Sequence, residues 1–130
     1  MMHRENEQSW KLTVQQVQDA LFCAWSLQSS SKWTQENPAA GHCGVTSLVV
    51  QDWLGGDIHR TSMENSWHYY NRIDGEILDF TASQFDRIPV YEHLESNREE
   101  AYSDTNAQQY QTLTERFELC IHALKRRAAL

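Results

Sequence analysis

Apolar residues recur every three to four positions near both ends of the chain, which is the spacing of a helix with one buried face. The first helix is predicted to begin at Thr13, whose side chain can form a capping box with Gln16. The last helix is predicted to begin near Thr105, which can form a second capping box with Gln108. The predicted buried stripes of these helices are Val14, Val17, Leu21, Ala24 and Trp25, and Tyr110, Leu113, Phe117, Ile121 and Leu124.

A further apolar stretch lies between these segments and predicts a central helix. Cys43 stands at its opening, and the pair Gly55-Gly56 supplies a C-terminal stop. Because the stretch is apolar on most sides, we expect this helix to be buried in the middle of the fold. The positions that mark it are Val45, Leu48, Val49 and Trp53.

Alternation with a period of two predicts a sheet after the central helix. The dipeptide Asp74-Gly75 is a strong signal for a type I′ turn, so its flanking residues are predicted to form a hairpin. Residues 92–105 are polar and acidic without periodicity, which predicts a surface loop. The predicted strands cover residues 57–63, 67–73, 76–81 and 88–91.

The position of the turn predicts which side chains of the hairpin share a face. Pairing outwards from Ile73 and Glu76 places His68 and Asp79 on one face as diagonal neighbours, about 7 Å apart at the backbone. This face is the more polar of the two. We expect it to look toward the helix that bears Cys43.

The size, charge and cysteine content of the chain restrict its class. A length of 130 residues suits one domain over residues 1–130, with the polar residues 1–11 flexible. The net charge of −7 argues against nucleic acid or an anionic membrane as a partner. Without a signal-peptide core or an apolar run of about 20 residues, the sequence predicts a soluble cytoplasmic protein. Its three widely spaced cysteines are expected to be reduced, with Cys23 a small buried side chain.

Cys43, His68 and Asp79 carry the chemistry that the sequence predicts. A thiol, an imidazole and a carboxylate suggest a cysteine nucleophile, its general base and the acid that orients the base. A helix N-terminus and an imidazolium both lower the pKa of a thiol, so we expect Cys43 to react below about pH 7. Gly41 and Gly44 would leave the sulfur accessible.

Asn37, His42 and Tyr70 are assigned to oxyanion stabilisation or to supporting positions around these catalytic residues. The Asn37 side chain can donate a hydrogen bond to an oxyanion, a role for which Gln35 competes. The free amides of the first helical turn can donate as well. His42 is expected to be exposed or to support the catalytic residues without touching the substrate.

The residues from Asn37 to Phe85 carry a resemblance to a known family. The run Asn-Pro-Ala-Ala-Gly-His-Cys-Gly-Val-Thr-Ser-Leu-Val-Val-Gln-Asp-Trp-Leu-Gly-Gly, followed by His-Tyr-Tyr-Asn-Arg and Asp-Phe-Thr-x-x-Gln-Phe, is similar to the YunG-like family of small, mostly uncharacterised bacterial proteins. The same order also resembles papain-like cysteine hydrolases, in which a cysteine at a helix start meets a histidine and an Asp or Asn from adjacent antiparallel strands.

The papain-like resemblance implies an α+β fold with a papain-like core. In that core a central helix bearing Cys43 packs on a small antiparallel sheet, with N-terminal and C-terminal helices around it. The resemblance implies Cys43 as nucleophile, His68 as base and Asp79 as orienting residue. It places Asn37 where papain-like enzymes keep a glutamine.

Several function classes remain open at this point. The leading hypothesis is a cysteine hydrolase or acyltransferase that acts on an amide or thioester of a peptide, protein or small molecule. It needs no cofactor and no metal. One alternative is a catalytically inactive papain-like module that binds a partner in the same cleft. A second is a zinc protein, because thiol, imidazole and carboxylate groups suit that ion, with His42, Cys43, His68 and Asp79 as ligands.

Overall fold

Helices and a small antiparallel sheet make up residues 12–129, which are the part of the chain that the computed structural model describes. The expected flexibility of residues 1–11 lies outside the described residues. The fold is α+β, as predicted. Its helices are α1 (Val14–Ala24), α2 (Cys43–Leu54), α3 (Arg98–Tyr102) and α4 (Ala107–Ala129), and its strands are β1 (Asp57–Met63), β2 (Ser66–Ile73), β3 (Glu76–Leu78) and β4 (Leu94–Glu95).

The N-terminal helix begins as its sequence predicts, whereas the C-terminal helix does not. Gln16 N–H donates to Thr13 Oγ1 at 3.0 Å and Thr13 N–H donates to Gln16 Oε1 at 2.9 Å, which completes the capping box of α1. At the start of α4 the cap is Asn106, whose Oδ1 accepts from Gln109 N–H at 2.8 Å. The predicted box of Thr105 is therefore wrong, because the neighbouring asparagine takes the capping position.

The main core lies between α1, α2 and α4. Leu21, Val49 and Phe117 are examples of the fully buried side chains that meet there. The predicted stripes and the central helix together supply most of this core, to which Phe80 also belongs. Val14 is an exception at 50% exposed, because it stands in the first turn of α1.

The sheet has the strand order β3-β2-β1-β4, and every pair is antiparallel. Ile73 pairs with Glu76, which confirms the predicted hairpin register. Asp74 and Gly75 have φ angles of 52° and 82°, so both central residues adopt the left-handed conformation that a type I′ turn requires.

Two predicted strand boundaries are wrong. β3 ends at Leu78 and does not continue to residue 81. The edge strand is Leu94–Glu95, which pairs with β1, and residues 88–91 form no strand. Pro89 has no N–H to donate to a ladder, which disfavours pairing there. Residues 92–105 are not a plain loop, because they contain β4 and α3.

The face of β2 that packs on α2 is the opposite of the predicted one. Asn71 Nδ2 donates to the Ser47 carbonyl oxygen of α2 at 3.1 Å, and Tyr69 packs against Leu48 of the same helix. The face that carries His68 is covered by the segment that follows β3. The helix takes the less polar face, since burying it removes more apolar surface from water.

The cysteines differ from the prediction as well. Cys23 and Cys120 form a disulfide between α1 and α4, with Cα atoms 6.2 Å apart. Cys23 is exposed rather than buried, and Cys43 remains a free thiol. Across residues 12–129, no helix is both long and apolar enough to cross a membrane.

Candidate active site

Cys43 is the first residue of α2, as the sequence predicts. The residue before it, His42, makes no side-chain cap to this helix. The capping acceptor comes from a distant turn instead, where Asp104 Oδ2 accepts from Gly44 N–H at 3.1 Å. A carboxylate at this end of a helix is stabilised by the unpaired amides and by the helix dipole.

The same carboxylate holds the thiol. Cys43 Sγ donates to Asp104 Oδ2 at 3.6 Å, and the Trp67 carbonyl oxygen lies 4.0 Å from the sulfur. Burial, and after it the negative charge of Asp104, raise the pKa of the Cys43 thiol from 9.0 to about 12. The predicted reactive thiolate is therefore wrong for this conformation, in which the thiol is neutral.

His68 and Asp79 meet as the hairpin register predicts. His68 Nε2 and Asp79 Oδ2 lie 2.7 Å apart, and their side chains are 1% and 6% exposed. Asp79 also accepts from the Tyr91 hydroxyl at 2.6 Å and from Thr81 N–H at 3.2 Å. The carboxylate is thus fixed from several sides while it orients the imidazole.

The tautomer of His68 follows from this contact. A carboxylate accepts, so Nε2 carries the proton in the neutral ring and Nδ1 keeps a lone pair. Nδ1 is buried and has no hydrogen-bond partner among the described residues. The ring is held between Tyr70, stacked at 6.0 Å between centroids, and Phe85, edge-on at 4.8 Å.

Cys43 and His68 line a common cavity of about 460 Å³. Asp104 and Gln84 also contribute to its wall, together with Trp67 at the start of β2. The structure describes no direct hydrogen bond between thiol and imidazole. Cys43 and His68 are therefore brought to one cavity, whereas Asp79 contacts His68 without lining it, and the thiol is bound to Asp104 rather than to His68.

Three predicted supporting residues do not line this cavity. Asn37 Nδ2 donates to the Gln84 carbonyl oxygen at 3.2 Å, so its amide ties two loops together. The Tyr70 hydroxyl accepts a hydrogen bond from the backbone N–H of His93 at 2.9 Å. Tyr70 supports the site only through its ring, which packs on His68.

His42 points into the core, so of its two expected placements, exposed or supporting the catalytic residues, the exposed one is wrong. It is 0% exposed, and its Nε2 lies 2.7 Å from Ser29 Oγ, with the ring against Trp25. Burial lowers the pKa of His42 to about 4, and the carbonyl groups of Pro38 and Ala40 partly oppose this effect. The side chain is a neutral part of the core.

Sequence reasoning missed Asp104 and Gln84. Asp104 lies 60 residues from Gly44 in the chain and within a stretch predicted to be a loop, so no local pattern indicated it. Gln84 ends the 3₁₀ turn Ala82–Gln84, and its Oε1 accepts from Gly41 N–H at 3.3 Å. The repeated apolar spacing used for the helices carries no information about either contact.

A zinc centre is not formed by the ligands considered in the sequence. Within residues 12–129 there is no group of three or more His, Cys, Asp or Glu side chains placed to hold a metal ion. The reason is geometric, because His42 faces the core while His68 is directed to Asp79.

Comparisons with known proteins extend the resemblance seen between residues 37 and 85. The family described as YunG protein matches residues 13–122. A Bacillus subtilis (strain 168) protein described as "Uncharacterized protein YunG" is 51% identical over 104 residues, which cover 80% of this chain and 90% of that relative. No solved structure gives a significant match. The chain therefore belongs to the YunG family.

Proposed function

We propose that this protein is a cysteine-dependent hydrolase or acyltransferase that acts on an amide or thioester bond. Cys43 is the nucleophile, His68 is the general base and Asp79 orients the base. The observation that carries the proposal is the buried His68 Nδ1, which has no partner among the described residues and belongs to a ring lining the same cavity as the thiol.

The raised thiol pKa determines how the nucleophile must form. Since the thiol is neutral, its proton leaves during attack rather than before it. His68 Nδ1 accepts that proton as Cys43 Sγ bonds to the acyl carbon, and the imidazolium that forms is stabilised by Asp79. Collapse of the intermediate expels an amine or thiol, which is protonated by the His68 imidazolium. Water or an amine then attacks the acyl-enzyme and releases the acyl group from Cys43.

Asp104 defines the resting state in this proposal. Its carboxylate competes with His68 for the thiol, so a substrate must displace the contact between Cys43 and Asp104 before the sulfur can turn to the base. The cavity volume of about 460 Å³ is within the range of small-molecule sites, so it suits a small acyl group or one end of a peptide.

The papain-like core is part of the proposal. It is supported by the cysteine at the start of α2 and by a histidine on β2 beside an aspartate that directly follows β3. Antiparallel pairing of β2 and β3 brings those two residues together.

Acyl transfer to Cys43 tests the proposal directly. The protein is incubated with a small acyl thioester and an aryl ester, and the adduct is located by peptide mass spectrometry. We expect one acyl group on Cys43, no adduct in Cys43→Ser, and acylation about 100-fold slower in His68→Asn, since a general base contributes about 10²–10⁴ in rate. His122→Asn on the exposed face of α4 is the matched control and should acylate normally.

A second candidate is a binding module that uses the same cavity without chemistry. The thiol held by Asp104 and its raised pKa favour this alternative. It predicts that neither acyl donor modifies Cys43 and that His68→Asn changes nothing. Acylation of Cys43 that depends on His68 would rule it out.

A further inference from the structure

We infer that Gln84 supplies the oxyanion donor of the proposed acyl-transfer reaction. The inference rests on the proposed function and adds a residue that contacts the reacting oxygen. Gln84 replaces Asn37 in this role, because the Asn37 amide is already used between two loops and does not line the cavity.

One contact orients the Gln84 side chain and a second holds its backbone. Its Oε1 accepts from Gly41 N–H at 3.3 Å, and its backbone oxygen accepts from Asn37 Nδ2 at 3.2 Å. Both partners lie in the loop that leads to Cys43. The amide group is therefore held against the loop that delivers the nucleophile, with the oxygen toward Gly41 and the NH₂ group turned away from it.

The NH₂ group of Gln84 lacks an acceptor. Its Nε2 is buried and has no hydrogen-bond partner among the described residues, although the side chain lines the cavity. Leaving a buried donor unpaired costs free energy, so such a group is expected to receive an acceptor from a ligand. His68 Nδ1, the other unpartnered nitrogen on this cavity wall, is the complementary acceptor for the thiol proton.

The helix start cannot provide this donor as freely as the sequence suggested. Gly44 N–H, which points out of the first turn of α2, is taken by Asp104. When Cys43 Sγ bonds to an acyl carbon, the π electron pair of the carbonyl moves onto its oxygen and the thiol proton moves to His68. The negative oxygen needs a preorganised donor, and Gln84 Nε2 meets that requirement.

Two reagents separate this role from a general effect on the thiol. Acylation by an aryl ester passes through an oxyanion, whereas alkylation by iodoacetamide displaces iodide at a saturated carbon and forms none. We therefore compare both rates at Cys43 in the native protein, Gln84→Ala and Gln84→Glu. Gln84→Glu keeps an oxygen for Gly41 and replaces the donor by a charge. Gln111→Ala removes a glutamine on the exposed face of α4, outside the cavity wall, whose Nε2 donates to Glu115 Oε2 at 3.1 Å.

The expected result is a selective loss of acylation. Gln84→Ala should acylate about 100-fold more slowly, as is found when one oxyanion donor is removed, and alkylate within about twofold of the native rate. Gln84→Glu should lose at least as much acylation, and Gln111→Ala should retain it. If the native protein is acylated but Gln84→Ala loses acylation and alkylation equally, or loses neither, the role of Gln84 is wrong while the proposed function stands. A native protein that is alkylated but never acylated overturns the proposed function and this inference with it.

Discussion

At the scale of single residues, the Cys43 thiol is controlled by one carboxylate that the sequence pattern did not indicate. Asp104 caps α2 and accepts a hydrogen bond from the Cys43 thiol at 3.6 Å. Burial raises the pKa of Asp104 as well, which is opposed by the Gly44 amide. A charged Asp104 stabilises the start of α2 but keeps the Cys43 thiol protonated. The same group therefore favours helix capping and opposes activation of the nucleophile.

Asp104→Asn should make the thiol more acidic and faster to alkylate. Asparagine keeps an oxygen for the Gly44 amide but removes the charge beside the sulfur, so we expect the pKa of Cys43 to fall by at least about 1 and the alkylation rate at pH 8 to rise about tenfold. The measurement is the iodoacetamide rate against pH. Asp74→Asn removes an equal charge at the exposed hairpin tip and should change little. Equal rates in both variants would show that Asp104 does not control the thiol.

His42 makes folding stability depend on pH through its buried neutral ring. The unfolded chain binds a proton at His42 below pH 6.5, whereas burial in the folded chain lowers its pKa to about 4. Unfolded protein therefore holds more protons between these values, so the stabilisation is present above pH 6.5 and is lost as the pH falls toward 4.

Urea unfolding at pH 7 and pH 5 tests this dependence. We expect the loss of unfolding free energy between the two pH values to be about 2 kcal/mol smaller in His42→Gln than in the native protein. If the free energy of unfolding of His42→Gln falls between pH 7 and pH 5 by as much as that of the native protein, His42 is not a buried neutral histidine.

At the scale of elements, α2 is placed by close packing of its first turn. A Cβ built on Gly44 would lie 2.6 Å from Asp104 Oδ2 and 2.8 Å from the Ala101 carbonyl oxygen. The glycine therefore permits the turn after α3 to approach the helix start. The hairpin of β2 and β3 is placed differently, by its own Asp74-Gly75 turn.

Gly44→Ala should destabilise the protein although alanine is the better helix former. Intrinsic propensity alone would stabilise a helix by about 1 kcal/mol, but the clash with a backbone oxygen should cost about 1–3 kcal/mol and outweigh it. The measurement is the free energy of unfolding in urea at pH 7. A net stabilisation would mean that the turn after α3 can move away from the helix start without cost.

At the scale of the whole molecule, a disulfide links the helices at the two ends of the described chain. Cys23 and Cys120 are 97 residues apart in sequence. Disulfides are typical of oxidising compartments, so this bond argues against the reduced thiols expected from the sequence. The cytoplasmic location stays a prediction.

Counting thiols tests this pairing. Protein purified without reductant and unfolded in guanidinium should show one reactive thiol, and all three cysteines should react after reduction. Reduction should also lower the stability by about 2–5 kcal/mol, since the bond closes a long loop. Cys43→Ser should show no reactive thiol before reduction. Three thiols before reduction would contradict the disulfide and support the reduced chain.

Local patterns in the sequence determined α1, α2 and α4, the hairpin register and the meeting of His68 with Asp79, but not the short helix α3. These features depend on residues a few positions apart or on the geometry of one tight turn, so periodicity and turn chemistry were sufficient. The predicted strand at residues 88–91 failed because pairing partners are chosen by the rest of the sheet.

Only the tertiary structure decided which groups surround the thiol. Asp104 meets Gly44 across 60 residues of chain, and Gln84 meets Gly41 across 43. Such contacts arise when separate elements pack, and the spacing of residues along the chain does not encode them. The sequence by itself therefore determined the identity of the nucleophile, base and acid candidates, while packing determined the charge, burial and hydrogen bonds that set their reactivity.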